Sequence, residues 1–186
     1  IQMGGQLARL AHARVTLLGV GAKDDALETH LQEARKQLGS GLASLETRTS
    51  PDSPAQAVAR AVEKQPVDLV IMGFSVQEDV NLAENILRSG EHHLLLAPVP
   101  QATPSKALVC VTSGEPGKDD VLFAGRLIRH LGADATLMSV LPAEYMESDL
   151  ARRTERFLAG GVQSLSILGV SADTRMRAGA PVEEIT

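Results

Sequence analysis

Short aliphatic runs and helical spacings alternate along this chain. Ile1, Leu7, Leu10 and Ala11 share one helical face, and Val15–Val20 (VTLLGV) is an apolar run of the buried-strand type. Leu27, Leu31, Ala34 and Leu38 return to helical spacing, with Gly39 as the stop. A weaker strand is predicted over Leu42–Thr49, followed by the turn Ser50-Pro51-Asp52-Ser53-Pro54, with a helix start at Ser53 and Pro54. The pattern then predicts a helix over Ala55–Lys64 and a strand over Val67–Met72 (VDLVIM) that ends at Gly73. A helix over Asn81–Ser89 and a strand over His93–Pro98 follow. After Pro100–Ser105 (PQATPS), a linker by composition, the apolar run Lys106–Ser113 (KALVCVTS) begins a new strand, helix, strand and helix. Strands that are continuous aliphatic runs bounded by helices predict a parallel sheet covered on both faces, an α/β fold of the doubly wound class.

The pattern also repeats. LARLAHARVTLLGV (Leu7–Val20) aligns with LIRHLGADATLMSV (Leu127–Val140) at an offset of 120 residues. The same offset carries Gly5 onto Gly125, Leu38 onto Leu158, Gly41 onto Gly161 and Leu45 onto Leu165. That period is far longer than a solenoid repeat, so the expectation is two tandem copies of one domain. The first would span residues 1–100, the linker 101–105 and the second 106–186. The apolar run that opens the second copy has no counterpart before Ile1, and the second copy stops before the elements that close the first. Each copy is expected to lack a piece.

Composition narrows the function. Hydrophobic residues are 44% and charged residues 22%, as in an ordinary globular chain, but aromatics are only 2% with no Trp. An aliphatic core follows, and base-stacking platforms for single-stranded nucleic acid are missing. A net charge of −5 gives no basic footprint for nucleic acid or an anionic membrane. A single cysteine, Cys110, excludes a disulfide within the chain and fits a cytoplasmic setting. No segment approaches the roughly 18 apolar residues of a membrane span.

In a doubly wound sheet, ligands bind beyond the carboxyl ends of the strands, so the residues that follow each strand carry the chemistry. Gly73-Phe74-Ser75-Val76 offers a glycine against which a phosphate could lie, or a plain turn. Thr112-Ser113-Gly114-Glu115-Pro116-Gly117-Lys118 offers hydroxyls and glycines before a helix, without the spacing of a Walker A loop. Asp119 and Asp120 make it equally a capping loop, since acids at a helix start suit the dipole and oppose a phosphate. Val20 and Val140 end their strands as core or pocket-wall residues. Adjacent His92 and His93 would point to opposite faces of a strand and read as surface residues rather than a metal pair. Cys110 reads as a small core residue, Asp68 as a turn or cap, and Glu183 and Glu184 as the acidic first turn of a helix. HExxH, GxSxG and CxxC are absent, and no nucleophile–base pair stands out, so enzymatic function is at most weak nucleotide hydrolysis.

The order of these elements resembles a known family. The run from Lys106 to Pro142 (KALVCVTSGEPGKDDVLFAGRLIRHLGADATLMSVLP) resembles the opening of a universal stress protein domain. VDLVIMG with Asn81–Pro100 (NLAENILRSGEHHLLLAPVP) resembles that family's closing half. The resemblance covers nearly the whole chain as two partial copies. It implies a five-stranded parallel sheet of the adenine-nucleotide alpha-hydrolase-like type, and a site for ATP, with magnesium, or AMP. It further implies pairing of two domains, within the chain or as a homodimer. Residue by residue, the implied nucleotide contacts are Thr112, Ser113, Gly114 and Val140 in one copy, and Val20, Met72 and Gly73 in the other. Two positions depart from the family pattern. Thr112 stands where nucleotide-binding members carry an Asp, and Val76 stands at the second glycine of the phosphate loop, which runs short before Asn81. The resemblance therefore implies either a nucleotide-responsive stress protein or a dimerising scaffold of the same fold without nucleotide.

Overall fold

Helix–strand alternation is what the chain adopts in a computed structural model, which describes residues 2–74, 80–98, 104–112 and 115–185. It divides into two compact units, residues 1–102 and 103–186. Unit 1 runs α1 (Gln2–Leu10), β1 (Arg14–Val20), α2 (Asp25–Leu38), β2 (Ser44–Ser50), α3 (Pro54–Lys64), β3 (Leu69–Phe74), α4 (Val80–Leu87) and β4 (His93–Pro98). Unit 2 runs β5 (Lys106–Cys110), α5 (Glu115–Leu131), β6 (Asp134–Leu141), a short 3-10 turn (Ala143–Tyr145), α6 (Asp149–Ile167), β7 (Ala172–Ala178) and α7 (Pro181–Ile185).

Every strand pairing among the described residues is parallel. β1 lies beside β2, with Arg14 opposite Ser44 and Val20 opposite Ser50. β3 lies beside β4, with Leu69 opposite His93 and Phe74 opposite Pro98. In unit 2, β6 is central, between β5 and β7. Parallel neighbours need a crossover connection, and the helices between the strands supply it.

Local chemistry sets the helix ends. The Leu27 N–H donates to Asp24 Oδ1 at 2.8 Å, capping α2, which stops at Gly39 in the left-handed region (φ +66). Ser148 caps α6 in the same way. Pro54 takes the first position of α3, where its missing N–H costs nothing, while Ser53 offers no side-chain capping bond. The Ser53 hydroxyl instead donates to Gln56 Oε1 at 3.1 Å.

Four sequence expectations change. β3 does not end at Gly73 but passes through it to Phe74, because Gly73 has an ordinary strand partner in Ala97. Cys110 is exposed rather than in the core. It sits on an outer strand, opposite in facing to Ala107 and Val109, which pack on the core. His92 is not a free surface residue: its ring is half-buried, with neither nitrogen hydrogen-bonded. The offset of 120 also loses structural meaning beyond the first helix–strand pair. α6 is 19 residues long against 14 in α2, so Leu165 lies in a helix while Leu45 lies in strand β2. Gly41 is a loop residue at φ +95, whereas Gly161 is within α6. The segments Leu7–Val20 and Leu127–Val140 do share a course, each a helix followed by a strand that pairs in parallel with the next strand.

The core of unit 2 forms where α5 and α6 press on β6, with Leu137 and Leu165 both at 0% exposure. Two glycines permit this approach. A Cβ at Gly161 would stand 2.7 Å from Leu137 Cδ1, and one at Gly125 would stand 2.5 Å from Leu165 Cδ2. Two polar side chains, Ser139 and Thr154, are buried among the described residues, and the fully buried Thr154 hydroxyl has no partner. Desolvating a hydroxyl without a hydrogen bond opposes folding, and valine keeps the shape. Thr154→Val is therefore expected to stabilise unit 2 by about 1 kcal/mol, read as a higher urea midpoint with an unchanged slope.

Candidate functional site

The carboxyl edge of the three-stranded sheet gathers the sequence-predicted residues of unit 2. β5 leaves the ladder after Cys110, which faces Met138. Val111 is buried and its N–H still donates to the Met138 carbonyl at 2.9 Å. Val140 lies in β6 two residues beyond that last pair, and Thr112 follows the end of β5 by two residues. Thr112 is exposed and Val140 half-buried, on the face of β6 opposite Ser139 and Leu141. The third strand closes the same edge, where the Gly179 N–H donates to the Leu141 carbonyl at 2.9 Å. Ser113 and Gly114 lie outside the described residues.

Gly117 sets how closely the start of α5 can approach Thr112. A Cβ there would lie 2.1 Å from the Thr112 carbonyl oxygen and 3.0 Å from Phe157 Cζ, so only a glycine lets the helix start close against the strand end. The sequence marked Gly117 as part of a glycine-bearing loop, but its contact with Thr112 depends on the fold. Lys118, Asp119 and Asp120 are exposed early in α5. The edge thus combines a helix start, a hydroxyl and an aliphatic wall, with acidic side chains nearby.

In unit 1 the corresponding residues are less tightly joined. Val20 is half-buried at the end of β1 opposite Ser50, and Met72 and Gly73 sit within β3 opposite Leu96 and Ala97. β1 and β3 belong to different two-stranded sheets, so no backbone ladder connects Val20 to Met72 and Gly73. A Cβ at Gly73 would meet nothing within 4 Å, leaving open space beside it. Val76 and the rest of residues 75–79 lie outside the described residues.

A separate cavity of about 430 Å³ runs between α2 and β2, lined by Lys23, Asp24, Leu27, Leu31, Arg35 and Thr47 among others. It opens because Gly19 lets Leu27 and Leu31 settle on β1, leaving its neighbour β2 less covered. One Arg35 guanidinium nitrogen donates to Thr47 Oγ1 at 3.1 Å across it. Sequence reasoning did not single out this trough, because it forms only where α2 and β2 meet. Its walls carry both charge signs and it stands along a helix flank, so we place the candidate site at the strand ends instead. Among the described residues no cluster of three or more His, Cys, Asp or Glu could hold a metal ion. Nor, among them, is any helix long and apolar enough to cross a membrane.

No protein-family model matches the chain, and no curated protein matches it in sequence. Solved structures do. A functionally unknown protein from Pseudomonas aeruginosa is similar at a TM-score of 0.62 and 16% identity, over 95% of this chain and 67% of that one. A universal stress protein from Archaeoglobus fulgidus is similar at a TM-score of 0.59 and 14% identity, over 97% of this chain and 74% of that one. At these identities the likeness concerns the fold: an α/β arrangement of parallel strands of the kind seen in that stress protein.

Proposed function

We propose that this chain is a universal-stress-protein-like module of two tandem, doubly wound copies that binds an adenine nucleotide, ATP with magnesium or AMP. It acts by changing conformation or partner affinity rather than by catalysis, with domain pairing inside the chain or between two chains, in the cytoplasm. The observation that carries the reading is that Thr112, just past the end of β5, lies against Gly117 at the start of α5, while Val140 lies near the end of the neighbouring parallel strand β6. Backbone N–H groups at the start of α5 would donate to phosphate oxygens, as helix N-termini do. Val140 would lie against the adenine–ribose portion. In unit 1, Val20, Met72 and Gly73 form the weaker counterpart. The second reading is a dimerising scaffold without nucleotide. Thr112 favours it, because a hydroxyl replaces the carboxylate expected at that position, and Asp119 and Asp120 oppose phosphate.

Isothermal titration of ATP and AMP, with magnesium, into the protein separates the two. Micromolar binding that falls at least tenfold in Val140→Trp is expected for the nucleotide reading. Gly73→Val is a second probe, because the side chain has room there and the backbone is not in the left-handed region. An unchanged melting temperature with weakened binding would make unit 1 a second site. No heat from either nucleotide, in a folded protein, would leave the scaffold.

A further inference from the structure

The trough between α2 and β2, about 430 Å³, stands apart from the strand ends and has an apolar floor and a polar wall. Leu27, Leu31 and Arg35 follow one another at four-residue intervals, so they form a single stripe along α2. The stripe runs about 12 Å from Leu27 to Arg35. The two leucines rest on β1 at Gly19, where a Cβ would stand 3.2 Å from Leu27 Cδ1 and 2.9 Å from Leu31 Cδ1. Thr47 and Thr49, two residues apart on β2, supply the opposite wall. In unit 2 the place of Gly19 is taken by Ser139, and α6 packs on both β6 and β7. α2 packs on β1 and α1, which leaves the flank over β2 open.

Polar groups converge at one end of the stripe. One Arg35 guanidinium nitrogen donates to Thr47 Oγ1 at 3.1 Å. The threonine oxygen thereby accepts, and its own proton has no acceptor among the described residues. Arg35 makes no ion pair among them either, so the other N–H groups of its fork are free to hold an anion. A carboxylate matches that fork with two parallel bonds, and the Thr47 hydroxyl adds a third donor. Elsewhere the lining sets Lys23 against Asp24 and Glu28. A singly charged anion suits this balance better than a phosphate, which the two acids would repel more strongly.

We propose that this trough binds a small monocarboxylate with an unbranched aliphatic tail. The carboxylate lies on the Arg35 fork and the Thr47 hydroxyl, and the tail runs along Leu31 to Leu27. The volume falls within the range of small-molecule sites, in which a few placed polar groups orient a largely apolar ligand. Burial of the tail supplies affinity and the charged end supplies orientation. The site shares no residue with the proposed nucleotide contacts and does not depend on them.

The test titrates octanoate, below its micelle concentration, into the chain and follows methyl and amide NMR signals with no nucleotide present. Saturating shifts are expected at Leu27, Leu31 and residues 45–49, with half-saturation below about 1 mM. Acetate, which lacks the tail, and octylamine, which lacks the carboxylate, are each expected to bind about tenfold more weakly or worse. Arg35→Gln, at an exposed position, is expected to weaken octanoate binding about tenfold with an unchanged melting temperature. Arg35→Lys recovers only part of that loss, because a point charge replaces the fork. Gly19→Ala tests the floor: its methyl pushes the leucine tips into the trough, and weaker octanoate binding is expected. Shifts that never saturate, that survive Arg35→Gln unweakened, or that centre on residues 111–117 or 139–142 would overturn the proposal. So would equal binding of octylamine, or no shift at all. None of these outcomes bears on ATP or AMP at the ends of β5 and β6.

Discussion

Leu137→Ala is expected to destabilise unit 2 by about 3 kcal/mol, several times the cost of the same change at Leu17. Both leucines hold the same place in a helix–strand course, 120 residues apart, and both strands follow a helix and precede a parallel partner. The difference is their surroundings. Leu137 has 0% exposure under Gly161 of α6, in a strand paired on both edges, so truncation leaves a cavity that the rigid sheet cannot close. Leu17 is half-buried in a strand paired on one edge, so it has less apolar contact to lose, about 1 kcal/mol. Urea unfolding followed by NMR signals from each unit reads the two costs separately, which matters because two units need not unfold as one. Equal losses would mean that β1 is as enclosed as β6.

Gly117→Ala is expected to be the most damaging single change at the candidate site, at about 2 kcal/mol net. In an exposed helix the same change stabilises by up to about 1 kcal/mol, because alanine is the better helix former. Here the added methyl would stand 2.1 Å from the Thr112 carbonyl oxygen, a backbone atom that moves only if the end of β5 moves with it. Phe157 Cζ would stand only 3.0 Å from the same methyl, which adds to the crowding. The clash outweighs the propensity gain. A lower melting temperature together with displaced amide signals from residues 111–117 is the expected result. A stabilised variant with an unmoved Thr112 would show that the start of α5 has room for the methyl.

Much of the fold was legible because most strands are short aliphatic runs with clear boundaries. Asp24 and Gly39 bracket α2, Pro54 opens α3 and Pro181 with two acids opens α7, all as local chemistry dictates. What the sequence concealed depends on neighbours distant along the chain. An apolar run such as KALVCV does not reveal how many strands flank it, and Cys110 looked internal although β5 is an outer strand. Gly73 looked like a strand stop, yet a glycine with a partner such as Ala97 continues a ladder. α6 runs through Gly160-Gly161, where the missing side chain at Gly161 admits Leu137. At the candidate site, Thr112 and Val140 were legible as strand-end residues, whereas the close approach of Gly117 to Thr112 arises only once β5 and α5 meet.

The most direct measurement is a map of backbone amide shifts during titration with ATP and magnesium, repeated with AMP. The account predicts saturating shifts centred on residues 111–117 and 139–142, the carboxyl edge of β5 and β6, with smaller ones near Val20 and Gly73. Shifts gathered instead along Lys23, Arg35 and Thr47, or none with either nucleotide in the folded protein, would contradict it.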